Sequence, residues 1–450
     1  MKSQTVYICP LHARLLFFQV ICLVLVCTAS PLLWAGDGQI DILPSGSKTL
    51  AISNPGSYVL TDNVVMTADV SCIEITASNV TLDLNGHTLL GTGSGAASGI
   101  DGGDADNVTV YNGKVKNFSV TGIHLKNGAR LYDLKVDTCS DGIKVGEEAH
   151  IYRVNSSSNS KVGIFTSSGS LVEKCITNNN GGDGQTMGIR VGDNCIVQDC
   201  ICKGNKSCNL VENNAYGIYA SDSCRIVSNV CTDNHVDSPA KGEAIGIKTG
   251  NHCVIKDNTC GENKVNSESA SHAMGIDCSF NCVISGNTCN ENQTKGLTRR
   301  GCGILCSAGS VVTGNTCYAN SYTGTGGAGE GVGIYAEGAN TLIRGNTCSV
   351  SQGDGSFNAM GIYIKYRGCR VEDNICSMQS GGNVSAGIFL EDGQPATVVI
   401  RNTTHGNQDV GISMGNDENY CAENMTAETT GINNTTDVTM GTGDRANVSY

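Results

Sequence analysis

The dipeptide Gly-Ile recurs fourteen times, with its glycine at 99, 122, 142, 163, 188, 217, 246, 275, 303, 333, 361, 387, 411 and 431, at spacings of 20 to 30 residues. A period of this kind predicts a solenoid, because each unit is too small to bury its own apolar face and must stack on the next. A second pattern keeps phase with the first, as in CVIKDNTC (Cys253 to Cys260) and CVISGNTC (Cys282 to Cys289). Two places after the first Cys the residue is always aliphatic (Val197, Ile226, Ile255, Ile284, Val312, Ile343, Val371, Val399), while the place between is mixed. That alternation is a strand with one buried face. Five places after the same Cys stand Asn229, Asn258, Asn287, Asn315, Asn346, Asn374 and Asn402. Asn tolerates a left-handed corner, and its amide can bond the identical amide one coil away, so an asparagine ladder is expected. Apolar spans this short, closed by Gly or Asn and without a helical period, exclude the crossover helices of an α/β fold. The prediction is an all-β, single-stranded right-handed parallel β-helix of about fifteen coils, a rod on the order of 70 Å long.

The sequence resembles the parallel β-helix repeat proteins of the pectate-lyase-like superfamily, in particular the carbohydrate-binding and sugar-hydrolysis domains. The resemblance spans roughly residues 55–430 and is closest in NVTLDLNGHTLLG (Asn79 to Gly91) and NVTVYNGKVKNF (Asn107 to Phe118). It implies the fold and an extracellular glycan partner. These motifs are architectural and specify no reaction. His87, within the first of them, reads as a turn residue.

Domain organisation follows from the repeat and its flanks. Lys2, His12 and Arg14 precede an apolar stretch from Leu15 to Val26 and small residues at Ala29 and Ala35, which reads as a secretory signal over 1–35. Residues 36–65 are expected to cap the first coil, 66–430 to form the β-helix, and 431–450 to be a tail or fading last coil. Neither Cys22 nor Cys27 follows a small residue, so a lipid anchor is not expected, and the mature chain is read as secreted or periplasmic without membrane insertion. A net charge of -13 with no long basic run gives no support for nucleic acid or an anionic membrane surface as a partner, and none is expected. Oligomeric state is not legible.

Twenty-four cysteines in an exported chain would suggest a disulfide framework, but their placement is periodic. Cys195, Cys224, Cys253, Cys282 and Cys369 share one inward position with Ser310 and Thr341. Cys202, Cys231, Cys260, Cys289, Cys317, Cys348 and Cys376 share another with Thr177 and Thr404. Both read as columns of free thiols packed as small hydrophobes, with few bridges. Cys278, Cys302 and Cys306 lie near one another without completing a tetrahedral metal set.

Function in such a rod belongs to its outward residues and inserted loops. If Ile points in, the next residue points out, giving the column His124, Lys144, Phe165, Arg190, Tyr219, Lys248, Asp277, Leu305, Tyr335, Tyr363, Phe389 and Ser413. Phe165, Tyr219, Tyr335 and Tyr363 are candidate sugar-stacking platforms, and the cations suit carboxylates or sulfates. Inserts at 232–244 and 261–273 should wall the column on one side. Elimination from a uronate would use Lys248 as base and Arg190 to neutralise the carboxylate, although Asp277 beside Lys248 would hold its proton on. Ca²⁺ at Asp277 is the one cofactor left open. Hydrolysis would pair Asp277 with an acid from an insert, Glu243, Glu268 or Glu330. Paired-aspartate and His-Gly signatures of polygalacturonases, and the arginine pattern of classical pectate lyases, are absent. Two functions therefore stand: a β-helix that binds and cleaves an acidic polysaccharide, with elimination ahead of hydrolysis, or a non-catalytic glycan-binding or structural rod. The cluster Lys295, Arg299 and Arg300 reads as a solvated loop, with a sulfate anchor as the alternative. An ice-binding face fails because the outward column is irregular.

Overall fold

The computed structural model describes residues 38–208, 213–238, 241–267, 269, 271–295, 298–323, 328–353, 358–381, 383–392, 395–415, 419–427, 430–433, 439–440 and 448–449. Residues 1–35, read above as a secretory signal, and part of the segment read as a C-terminal tail lie outside them. The chain is a right-handed parallel β-helix. Among the described residues sixteen strands form the sheet that carries Gly-Ile, and two further sheets close the cross-section; the coil number differs slightly from the fifteen expected. The stack starts at Gln39–Ile42, which pairs in parallel with Gly56–Leu60, and that strand with Val80–Asp83.

One coil shows how sequence makes shape. Strand Gly242–Thr249 leads to His252, strand Val254–Lys256 to Asp257, and strand Thr259–Gly261 to Glu262. His252, Asp257 and Glu262 each adopt a positive φ of 55° to 58°, and the same three corners recur one coil earlier at Ser223, Ser228 and Asp233. The left-handed residue turns the backbone, and the residue after it points into the core. This corrects the expectation for the asparagine corner: the ladder Asn keeps ordinary geometry, and its predecessor bears the unusual φ.

Each corner is tied by side-chain bonds between coils. Asn258 accepts at Oδ1 from the backbone N–H (2.8 Å) and Nδ2 (3.0 Å) of Asn229, and donates to the carbonyl of Ile226 and to Asn287, both at 2.9 Å. A second ladder, not read from the sequence, runs through Asn159, Asn180, Asn205, Asn234, Asn263, Asn292 and Asn320 at the following corner. Buried amides in unbroken rows leave few orphaned donors, which is what a core of this polarity requires. The first cysteine column is the third ladder. Cys253 Sγ accepts from the N–H of Cys224 at 3.4 Å and donates to the carbonyl of Ser221 at 3.2 Å. Ser310 and Thr397 make the equivalent acceptance, so the slot selects a hydrogen-bonding group and not merely a small one. The second column stacks in register from Cys202 to Cys376 within a sheet face, wholly buried. The described cysteines form no disulfide, and Cys208 alone among them is exposed.

The Gly-Ile glycine is needed because the strand there crosses the second asparagine ladder. A Cβ on Gly246 would lie 2.7 Å from the carbonyl oxygen of Gly275 and 3.1 Å from the Asn263 amide. The inserts form a fourth sheet outside the core, including His235–Asp237 and Lys264–Asn266, and each then returns into a long strand such as His272–Cys278. Val236 and Val265 pack there against Ala215, Ala244 and Ala273. His87 closes a turn by donating its N–H to the Leu84 carbonyl at 2.7 Å.

Candidate functional site

The outward residue after each Gly-Ile falls into one file along the axis. Register pairs Lys144 with Phe165, Phe165 with Arg190, Arg190 with Tyr219, Tyr219 with Lys248, and Lys248 with Asp277. The file continues through Leu305, Tyr335, Tyr363 and Phe389. Its character changes along the way, from exposed cations beside half-buried rings to side chains that are wholly or almost wholly buried.

The early coils are uncovered. Lys144 and Arg190 are exposed, and Phe165 and Tyr219 half-buried. The Arg190 guanidinium sits between two ring faces, 5.2 Å from the Phe165 centroid and 5.9 Å from that of Tyr219. Beside it a recess of about 360 Å³ is lined by Asp141, Lys144, Lys161, Val162, Phe165, Gln185, Met187 and Arg190. Among the described residues, none of Lys144, Lys161 and Arg190 takes part in an ion pair. Three cations that pair with no carboxylate, against the one acid Asp141 in the same lining, leave anion-binding capacity unused.

The middle of the file is already neutralised. Lys248 Nζ lies 2.7 Å from Glu243 Oε2 and 3.2 Å from Asp277 Oδ2, and Tyr216 donates its hydroxyl to Glu243 at 2.8 Å. Burial alone would lower the Lys248 pKa, but the charges of Asp277 and Glu243 outweigh it and hold the group above the usual lysine value. Lys248 is therefore an ammonium. Burial raises Asp277 above the ordinary carboxylate range, only partly offset by Lys248. Glu243 moves the other way: burial would raise it, yet Lys248 and Tyr216 together keep it below its usual value. The insert acid that hydrolysis would require is thus placed at Lys248 by Glu243. Glu268 lies outside the described residues, and Glu330 is engaged elsewhere.

Further along, the file is closed. Tyr335 is wholly buried, and Leu305 and Tyr363 are 7% exposed. Arg300 covers Tyr335, with Cζ 3.9 Å from its ring centroid, and donates to Glu330 at 2.6 Å and to the Tyr335 hydroxyl at 2.9 Å. Tyr363 meets Tyr335 edge-on at 4.7 Å. Tyr335 and Tyr363 consequently offer no free ring face here. Arg300 belongs to a strand, Thr298–Cys306, and is spent on Glu330, which corrects its reading as part of a solvated loop; the Arg299 side chain lies outside the described residues.

Sequence reasoning missed Tyr216, Lys161, Gln185 and Met187. A signal was present, since the residue before Gly-Ile is bulky in coil after coil (Met187, Tyr216, Ile245, Met274, Val332, Met360), and these side chains form a second apolar cluster with the file. Two-residue alternation carried across the glycine would turn them inward. Pairing is interrupted at Gly217, however, so Tyr216 and Tyr219 come to the same side with ring centroids 5.7 Å apart. For a cation, the carboxylate of Asp277 is engaged by Lys248, and the described residues hold no group of three or more His, Cys, Asp or Glu placed for a metal ion.

The family model described as "right handed beta helix region" matches residues 243–427. No curated protein matches the chain. Among solved structures, the Dettilon tailspike protein is similar at 14% identity and a TM-score of 0.35, over 80% of this chain and 58% of its own. The chain thus spans under two thirds of that protein's length. The periplasmic alginate epimerase AlgG is similar at 10% identity and a TM-score of 0.36, over 92% and 83% of the two chains. The A-module of the Azotobacter vinelandii mannuronan C-5 epimerase AlgE6 follows at 11% and 0.34, over 88% and 92%. Likeness at these identities is one of fold.

Proposed function

We propose that this chain is an exported β-helix that binds an acidic polysaccharide along the uncovered part of its outward file, on Lys144, Phe165, Arg190 and Tyr219. One observation carries the reading: Arg190, Lys144 and Lys161 lack ion-pair partners among the described residues and line one recess with Phe165, against the single carboxylate of Asp141, in a chain whose net charge is -13. What distinguishes these three from other unpaired surface cations is that they line one recess with Phe165, where they are placed to meet an external anion, and the rings supply flat apolar area for sugar faces at little entropic cost.

Turnover is the second reading, and it rests on the opposed carboxylates. Glu243, held ionised, would serve as nucleophile or base, and Asp277, pushed toward its protonated form, as acid. Elimination with Lys248 as base and Arg190 as neutraliser demands a neutral amine that its two carboxylates oppose. The test is a binding panel of uronate, sulfated and neutral polysaccharides, scored also for unsaturated products and reducing ends. Uronate binding should weaken about tenfold in Arg190→Gln, the loss of one charge-assisted bond. Equal binding by the variant, or preference for neutral glycans, would contradict the reading.

A further inference from the structure

Before Lys144 the outward file runs through Glu74, Asp101 and His124, each paired in register with the next. Glu74, Asp101 and Asp104 line a recess of about 250 Å³ with His124. The His124 ring Nδ1 lies 3.1 Å from Asp101 Oδ1, so three carboxylates there face one imidazole. The three cations without ion-pair partners follow at once, one per coil. Lys144 stands on Asp141–Val145, Lys161 at the entry to Val162–Thr166, and Arg190 on Thr186–Val191. After Arg190 the file carries Tyr219, which brings no charge, and then Lys248 and Asp277. Lys241 lines a small recess with Glu243, so two cations at that end are balanced by the two acids Glu243 and Asp277. The positive run is therefore three coils long. Beyond His124 an acidic sugar meets like charge, and beyond Tyr219 it meets no net positive charge.

We infer that the anion site is closed at both ends and holds about three sugars of an acidic glycan, because the coil spacing of about 4.8 Å is close to the length of one pyranose unit. The inference rests on the acidic-glycan reading above and deepens it by fixing the length of the bound segment. Calorimetric titration of the full chain with digalacturonate, trigalacturonate and hexagalacturonate reads that length, in low-salt buffer where exposed charges are least screened. The trimer should bind about tenfold more tightly than the dimer. The hexamer should release no more heat than the trimer, and gain in affinity only the statistical factor for the registers open to it. Glu74→Gln combined with Asp101→Asn removes two like charges and keeps a side-chain oxygen toward His124. In that variant the hexamer should release more heat than the trimer and bind about threefold more tightly than it binds the natural chain. An unchanged thermal melt shows that the coil is intact, and Glu74→Gln alone, at an exposed position, gives the same sign if the paired change disturbs it. Heat and affinity that keep growing from trimer to hexamer in the natural chain, or variants whose ratio of hexamer to trimer is unmoved, overturn the closure and leave the acidic-glycan reading standing. Failure of every oligomer and of the parent polymer to bind overturns that reading and this inference with it.

Discussion

At Cys253 the thiol takes the N–H of the coil before it and returns its own proton to the Ser221 carbonyl, the pattern Asn258 completes at the next corner with an amide. The corner therefore tests hydrogen bonding against size. Cys253→Ser keeps both bonds and should cost under about 1 kcal/mol, whereas Cys253→Val, similar in bulk, strands the Cys224 N–H and should cost about 2 kcal/mol more. Urea unfolding of the two variants gives the order, and a valine variant as stable as the serine one would return the column to a hydrophobic account. The repeat made the inward Asn and Cys positions legible because Ser and Thr replaced Cys in register. It hid which residue turns the corner, since Ser228, Asp257, Gly286 and Arg401 all occupy the left-handed site and share no side-chain type. There the demand is on the backbone, and the bond to the next coil comes from the neighbour.

Strands Gly242–Thr249 and His272–Cys278 bring Glu243, Lys248 and Asp277 together; the Lys248–Glu243 pair lies within the first strand and the Lys248–Asp277 pair crosses to the second. Lys248 stands above its usual pKa in the fold, so the stability it contributes is fully present below the unfolded lysine value and lost as pH rises through the folded one. Lys248→Met removes that alkaline loss. It also leaves two half-buried carboxylates facing each other, so the variant should be about 2 kcal/mol less stable at neutral pH and recover as pH falls and they protonate. Denaturant titrations at acid, neutral and alkaline pH read both signs; a variant with the parent's pH profile would show the triad to be energetically idle. Lys248 and Asp277 were legible as neighbours from the repeat alone. Glu243 was only one of three acids considered, because its placement depends on how an insert folds back, which no short-range period encodes.

Across the whole molecule the outward file divides into an uncovered stretch and a closed one. The early coils leave Lys144, Phe165, Arg190 and Tyr219 accessible, whereas further along Tyr335 is wholly buried under Arg300 and against Tyr363. Even spacing of Gly-Ile predicts one continuous column, so the solenoid was readable almost entire while the limits of its groove were not; Arg300 over Tyr335 closes the file through a contact between inserts of adjacent coils. Ligand position follows from this division. The most direct measurement is a crystal structure of the chain soaked with a uronate oligosaccharide. The account predicts sugar rings over Phe165 and Tyr219, with carboxylates at Lys144 and Arg190. Density for the glycan over another face of the rod, with that stretch left bare, would contradict it.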